Sequence, residues 1–213
     1  MMPPIPLYEG TRPYQTIPFQ WSLHAIDANG ALDHKVFLAD HLNDPRRQFT
    51  GTLINALGTS DVPIIVYSPY EQTRLRELAA NFPELSAPLN AAIARLRDLL
   101  PIVRSAVYLP EFGFSNSIKS VAQALAPEFG YDDLQGVADG IAASGAFLLL
   151  ASGAVITVPE EIAALRSQLL AYCERDTLAM VEVHRALMRL SNQSPAVSDE
   201  IARGATRRGS FMP

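Results

Sequence analysis

Apolar and polar positions first alternate at Phe19-Gln20-Trp21-Ser22-Leu23-His24-Ala25-Ile26, where Phe19, Trp21, Leu23 and Ala25 share one side, the period of a half-buried strand. Asp27-Ala28-Asn29-Gly30 is turn chemistry and Lys35-Val36-Phe37-Leu38 a return strand, so residues 17–39 read as a β-hairpin. Asp44-Pro45 then opens a helix, with Asp at the N-cap and Pro in the first turn, and Gly58 stops it after Leu57. Val62-Pro63-Ile64-Ile65-Val66-Tyr67 is a continuous β-branched run, the mark of a strand covered on both faces. A helix follows from Ser68-Pro69-Tyr70-Glu71, carrying Leu75, Leu78 and Phe82 at helical spacing. Further helices are predicted at Leu89 to Val103, Ser117 to Leu125, Asp139 to Leu150 and Pro159 to Leu190. Few strands before many helices imply an α/β or α+β domain with a small sheet. The uncharged stretch Ile141 to Val158 is broken by Ser144, Gly145, Ser152 and Gly153, so it reads as a buried helix to about Leu150 and not as a membrane span. The tail from Ser191 to Pro213 loses periodicity and is expected to be mobile.

The acids change this picture where they fall on apolar faces. In the last helix Ile162, Leu165, Leu169, Tyr172, Asp176, Met180, Val183, Leu187 and Leu190 form one stripe, with Asp176 in its middle. A carboxylate facing a core costs several kcal/mol unless a metal, a cation or a set of donors compensates it, so Asp176 calls for a partner; a buried ion pair with an arginine would serve as well as a metal. Tyr172, one turn earlier, shares its surroundings. Glu71 lies on the stripe with Leu75, Leu78 and Phe82, but Ser68 and Glu71 also stand at capping-box spacing with Pro69 between them, and the two readings are compatible. Asp98 falls opposite the stripe Leu89, Ile93, Leu96, Leu100, Val103 and reads as a solvated surface acid. Asp139 reads as an N-cap, Cys173 as a small buried hydrophobe, and His24, His34, His41 and His184 share no ligand spacing.

Composition narrows the function classes. Of 213 residues 48% are apolar and 18% charged, enough for one cored domain with a tail. The net charge of −5 argues against holding nucleic acid by bulk positive charge, though not against a local basic groove. The single cysteine excludes an intrachain disulfide framework and a multi-cysteine zinc cluster. Met1-Met2-Pro3-Pro4-Ile5-Pro6 has no basic n-region, so a cytoplasmic location is expected. The chain shows no Gly-rich phosphate loop, nucleophile elbow or His-Glu-x-x-His.

A longer string is more specific. Ile5-Pro6-Leu7-Tyr8-Glu9-Gly10-Thr11-Arg12-Pro13-Tyr14-Gln15 and Ile17-Pro18-Phe19-Gln20-Trp21-Ser22-Leu23-His24 are followed by Val66-Tyr67-Ser68-Pro69-Tyr70-Glu71 and Asp98-Leu99-Leu100-Pro101. Ser117-Ile118-Lys119, Tyr131-Asp132-Asp133-Leu134, Asp139-Gly140 and Tyr172-Cys173-Glu174-Arg175-Asp176-Thr177 complete the series. In this order they resemble the bacterial domain of unknown function 2779 family, over roughly residues 4–190. That family is similar in turn to ribonuclease H-like 3′–5′ exonucleases of the four-acid, two-metal type. The resemblance implies a ribonuclease H-like domain over residues 1–190, with a small mixed sheet and helices. It implies Mg²⁺ or Mn²⁺ as cofactor, single-stranded DNA or RNA ends as partner, and no membrane.

The resemblance also implies residue roles. Tyr172 and Asp176 match a Tyr-x-x-x-Asp third motif, Asp176 as metal ligand and Tyr172 orienting the attacking water. Glu71 falls at the acid of the second motif, where Ser68 and Tyr70 replace the usual asparagine and phenylalanine. Two-metal hydrolysis, with ions about 4 Å apart, needs more carboxylates than these. The family's first motif, an Asp-x-Glu on a strand preceding the Ile5-Pro6-Leu7-Tyr8 match, is absent; the first acid here is Glu9. The expectation is therefore a domain lacking its first catalytic strand and inactive in this form, through a start assigned too far downstream, a fragment or a degenerate copy. Its rival is a non-catalytic nucleic-acid-binding or protein-interaction module. Lys119, Arg74 and Arg76 are the candidate phosphate contacts, or else solvated surface charge.

Overall fold

A computed structural model describes residues 1–130, 136–137, 139–153 and 156–192. The Tyr131-Asp132-Asp133-Leu134 string and nearly all of the tail lie outside the described residues. The order is β1 (Gln20–Ile26), β2 (Leu32–Leu38), α1 (Arg46–Leu57), β3 (Ile64–Val66), α2 (Tyr70–Asn81), α3 (Ser86–Arg95), β4 (Leu96–Asp98), α4 (Leu100–Ala106), α5 (Ile118–Leu125), α6 (Gly140–Ser152) and α7 (Pro159–Asn192). The fold is mixed α+β with helix predominating.

The hairpin forms where alternation and turn chemistry coincide. Asp27 Oδ1 accepts hydrogen bonds from the amides of Asn29 and Ala31, both at 2.8 Å, and Gly30 takes φ +82°, so the turn needs both residue types. The register that results sets Trp21 opposite Phe37 and His24 opposite His34. Trp21 stacks on Phe37 with ring centroids 6.2 Å apart and donates its indole N–H to Thr52 Oγ1 at 3.1 Å, which seats the hairpin on α1.

Among the described residues the strands make two separate two-stranded sheets, the antiparallel hairpin and a parallel β3–β4 pair, and not one mixed sheet. β3 is shorter than the apolar run that announces it: Pro63 has no amide hydrogen for a ladder and Val62 stays exposed. The predicted helix Leu89 to Val103 is a correction. It is broken into α3, β4 and α4, because Pro101 belongs to the first turn of a new helix and the intervening Leu96–Asp98 pairs with β3 in the register Val66↔Asp98. A strand of three residues leaves no periodic trace. α1 opens one residue later than predicted, with Pro45 in the cap position, while Asp44 Oδ1 accepts from the Arg46 amide at 3.1 Å.

Among the described residues, three apolar clusters hold these elements. One joins Ile17 and Phe19 to Phe147 and Leu150 of α6 and to Leu169 and Tyr172 of α7. Phe147, fully buried, stacks on Phe19 with centroids 4.3 Å apart. A second packs Tyr67, Leu99, Val103 and Val121 against Ala179 and Val183 of α7. The third gathers Phe49, Leu75, Leu78 and Leu89. α6 begins as its sequence predicts, with Asp139 Oδ1 accepting from the Ala142 amide at 2.7 Å, and ends at Gly153 with φ +61°. No described helix is long and apolar enough to cross a membrane.

Candidate functional site

The parallel pair delivers two acids to its carboxyl-terminal end. β3 runs through Val66 and Tyr67 into Ser68, whose φ of +146° is strained for a residue with a side chain, and α2 starts at Tyr70. This places Glu71 in the first helical turn. The capping box does not form: α2 has no side-chain cap, and Ser68 Oγ accepts instead from the Tyr70 amide at 3.2 Å. Glu71 is left with Oε2 buried and no hydrogen-bond partner. Its pKa is raised by burial, an effect that its own backbone amide partly opposes and to which the charge of Asp98 adds least.

Asp98, which the sequence pattern assigned to a solvated surface, is half-buried at the end of β4, and its Oδ1 accepts from the Leu100 amide at 2.9 Å. Tyr67 beside this end donates its hydroxyl to Asn116 O at 2.9 Å, and burial pushes its pKa up to about 12. Arg74, one turn from Glu71, does not neutralise it. Its Nη2 pairs with Glu77 at 2.9 Å and its guanidinium lies over the Tyr70 ring, 5.2 Å from the centroid. Arg12 and Arg74 line the same open cleft of about 340 Å³.

α7 carries the second set. Tyr172 is buried at 8% exposure, and Lys119, from the first turn of α5, holds its Nζ 5.2 Å from the centre of the Tyr172 ring. Asp176 follows one turn on, half-buried, with one carboxylate oxygen shut off from solvent. Burial first, and the Asp176 charge second, push the Cys173 thiol up to about 12, so Cys173 stays an inert thiol. Tyr172, Asp176 and Lys119 are thus neighbours in the fold. Among the described residues, Glu71 and Asp176 do not join a third acid in a tight group. Among the described residues, the His, Cys, Asp and Glu side chains that offer three ligand atoms within 4.8 Å of one another are His24, His34 and Glu174.

That patch went unforeseen because no spacing along the chain joins its members. The hairpin register does so for two of them, stacking the rings of His24 and His34 at 4.5 Å and 17°. Ser22 Oγ bonds His34 Nε2 at 2.9 Å and Thr177 Oγ1 at 2.8 Å, and His24 Nδ1 bonds Thr177 Oγ1 at 2.9 Å. Glu174 Oε1 stands 3.6 Å from His34 Nδ1. Burial, and then the nearby His34, lower the pKa of His24, with Glu174 opposing.

A family model matches residues 1–117, a span that runs from the hairpin through α4 and includes Glu71, Arg74 and Asp98. The chain belongs to the family described as a domain of unknown function, DUF2779. The matched DUF2779 region also includes His24 and His34, whereas Lys119, Tyr172, Glu174 and Asp176 lie beyond it. No curated protein and no solved structure matches the chain.

Proposed function

We propose that this DUF2779 chain is a metal-dependent nuclease-like domain, ribonuclease H-like in descent and of the type that hydrolyses DNA or RNA ends in the 3′–5′ direction, inactive by itself without the first Asp-x-Glu motif. The observation that supports it most is Glu71: an enclosed carboxylate with an unpartnered oxygen, in the first turn of a helix at the carboxyl end of a parallel strand pair, with Asp98 close enough to raise its pKa. Ligands of open α/β sheets bind at such ends, and a desolvated acid without an ion pair is stabilised by a cation. Hard oxygen donors of this kind fit Mg²⁺ or Mn²⁺, with Glu71 and Asp176 as ligands and Asp98 as a further candidate. Bound there, the ion would lower the pKa of a coordinated water and offset charge on the phosphate. Tyr172 would orient the water through its hydroxyl, and Lys119 and Arg74 would contact phosphate oxygens.

The test uses the polypeptide translated from the longest reading frame that contains this chain, with end-labelled single-stranded DNA and RNA in Mg²⁺ or Mn²⁺. Stepwise nucleotide release that Asp176→Asn abolishes supports the proposal; equal release by the variant refutes it. The second reading, a non-catalytic nucleic-acid-binding or interaction module, is favoured by Ser68 and Tyr70 in the second motif and by the net charge of −5. Gel-shift binding indifferent to EDTA and to Asp176→Asn would establish it.

A further inference from the structure

We propose that His24, His34 and Glu174 form a site for a zinc-class divalent cation that clasps the hairpin to α7. The argument rests on protons. Thr177 Oγ1 lies 3.0 Å from Glu174 O and 3.3 Å from Cys173 O, and a carbonyl only accepts, so the Thr177 hydroxyl proton is committed to its own helix. Ser22 must therefore donate to Thr177, which leaves Ser22 Oγ to accept from His34 Nε2–H, and His24 Nδ1–H must donate to Thr177. Every contact then has one donor, and both rings are fixed in a single tautomer. In the neutral rings the lone pairs left over are His24 Nε2 and His34 Nδ1.

This is the arrangement a metal-binding histidine requires, with one nitrogen pinned by an outer oxygen and the other basic and aimed. The third donor is the Glu174 carboxylate, and one ligand atom from each residue lies within 4.8 Å of the others. Tetrahedral zinc sets its donors about 3.4 Å apart, a closure that side-chain rotation supplies. Two imidazoles and one carboxylate select zinc, or copper and nickel where these are offered, over Mg²⁺, which takes oxygen ligands. His34 and Glu174 are 26% and 51% exposed in their side chains, so an ion can enter and a fourth position remains for water. The site is independent of the nuclease reading: Glu174 and Asp176 stand two residues apart on α7, about 200° around its axis.

The experiment titrates Zn²⁺ into the metal-free full chain, with binding read by calorimetry and by competition with a chromophoric chelator. The expected result is one saturable equivalent, weakened at least tenfold in Glu174→Gln and in His34→Gln and unchanged in His184→Gln. Glu174→Gln changes an exposed side chain, and its melting temperature in EDTA should equal that of the parent, which separates ligand loss from misfolding. A Glu71→Gln/Asp176→Asn double variant should keep the zinc, so failure here and failure of the nuclease reading are told apart. No saturable equivalent, or an affinity indifferent to both Glu174→Gln and His34→Gln, would overturn the proposal.

Discussion

Two groups of ionisable side chains meet opposite fates in this fold. At the end of the parallel pair, Glu71 has been taken from water and given little beyond its own backbone amide in return: one oxygen lacks a partner and the neighbouring charge is of the same sign. On the hairpin, His24 and His34 have lost part of their exposure, yet each has a ring nitrogen bonded, and Ser22 and Thr177 join them in one chain of hydrogen bonds. The first arrangement keeps free energy in reserve that a bound cation can recover. The second uses a hydrogen-bond network to fix tautomers and aim. Burial alone therefore does not mark a site; what differs is whether burial is compensated, and by what.

The comparison breaks most visibly in activity. If Glu71 and Asp176 hold metal for phosphodiester hydrolysis, Glu71→Gln and Asp176→Asn should each lower nucleotide release on the order of 100-fold or more, the scale of losing one aimed electrostatic group. His34→Gln should leave that rate unchanged. Next in size is the outer shell of the hairpin patch. Thr177→Val, which removes the oxygen that pins His24 Nδ1, should weaken zinc binding about 10- to 100-fold in a chelator competition.

Smaller, and opposite in sign to its effect on activity, is the stability effect of Glu71→Gln. Because the folded-state pKa of Glu71 is raised above the ordinary carboxylate value, the folded protein holds its proton more readily than the unfolded chain. The ionised group is therefore a burden at neutral pH, and that burden lifts as pH falls through the raised pKa toward 4.5. Glu71→Gln should stabilise the protein by about 1 kcal/mol at pH 7, by urea unfolding, with the gain fading in acid. Smallest is Ser68→Gly, which relieves the φ of +146° just before α2 and should add a few tenths to about 1 kcal/mol.

How much of this could be read from the chain depended on the range of the interaction. Asp139 and Ser117 announce the starts of α6 and α5 because a cap acts over three residues, as the Asp139 contact to the Ala142 amide and the Ser117 contact to the Ser120 amide show. The hairpin was legible for the same reason, since Asp27 and Gly30 set its turn locally. Asp98 was misplaced because its strand is set by β3, about thirty residues away, and the apolar spacing from Leu89 to Val103 imitates a helix. For the Ser68–Glu71 pair, spacing matched a cap while the backbone at Ser68 ruled it out. The histidine patch needed a contact over more than 150 residues, His24 to Thr177, which no local pattern encodes. A turn closed at residues 27–30 would pair position 24 with position 33; the loop instead closes from Asp27 to Ala31, and that one added residue brings His34 opposite His24.

The 34 residues of α7 span about 51 Å and insert Leu169 and Tyr172 into one apolar cluster and Ala179 and Val183 into another. A rod shared in this way ties the melting of one cluster to the melting of the other. Amide exchange along the rod between those anchor points should report a single opening free energy, the mark of two clusters that open together.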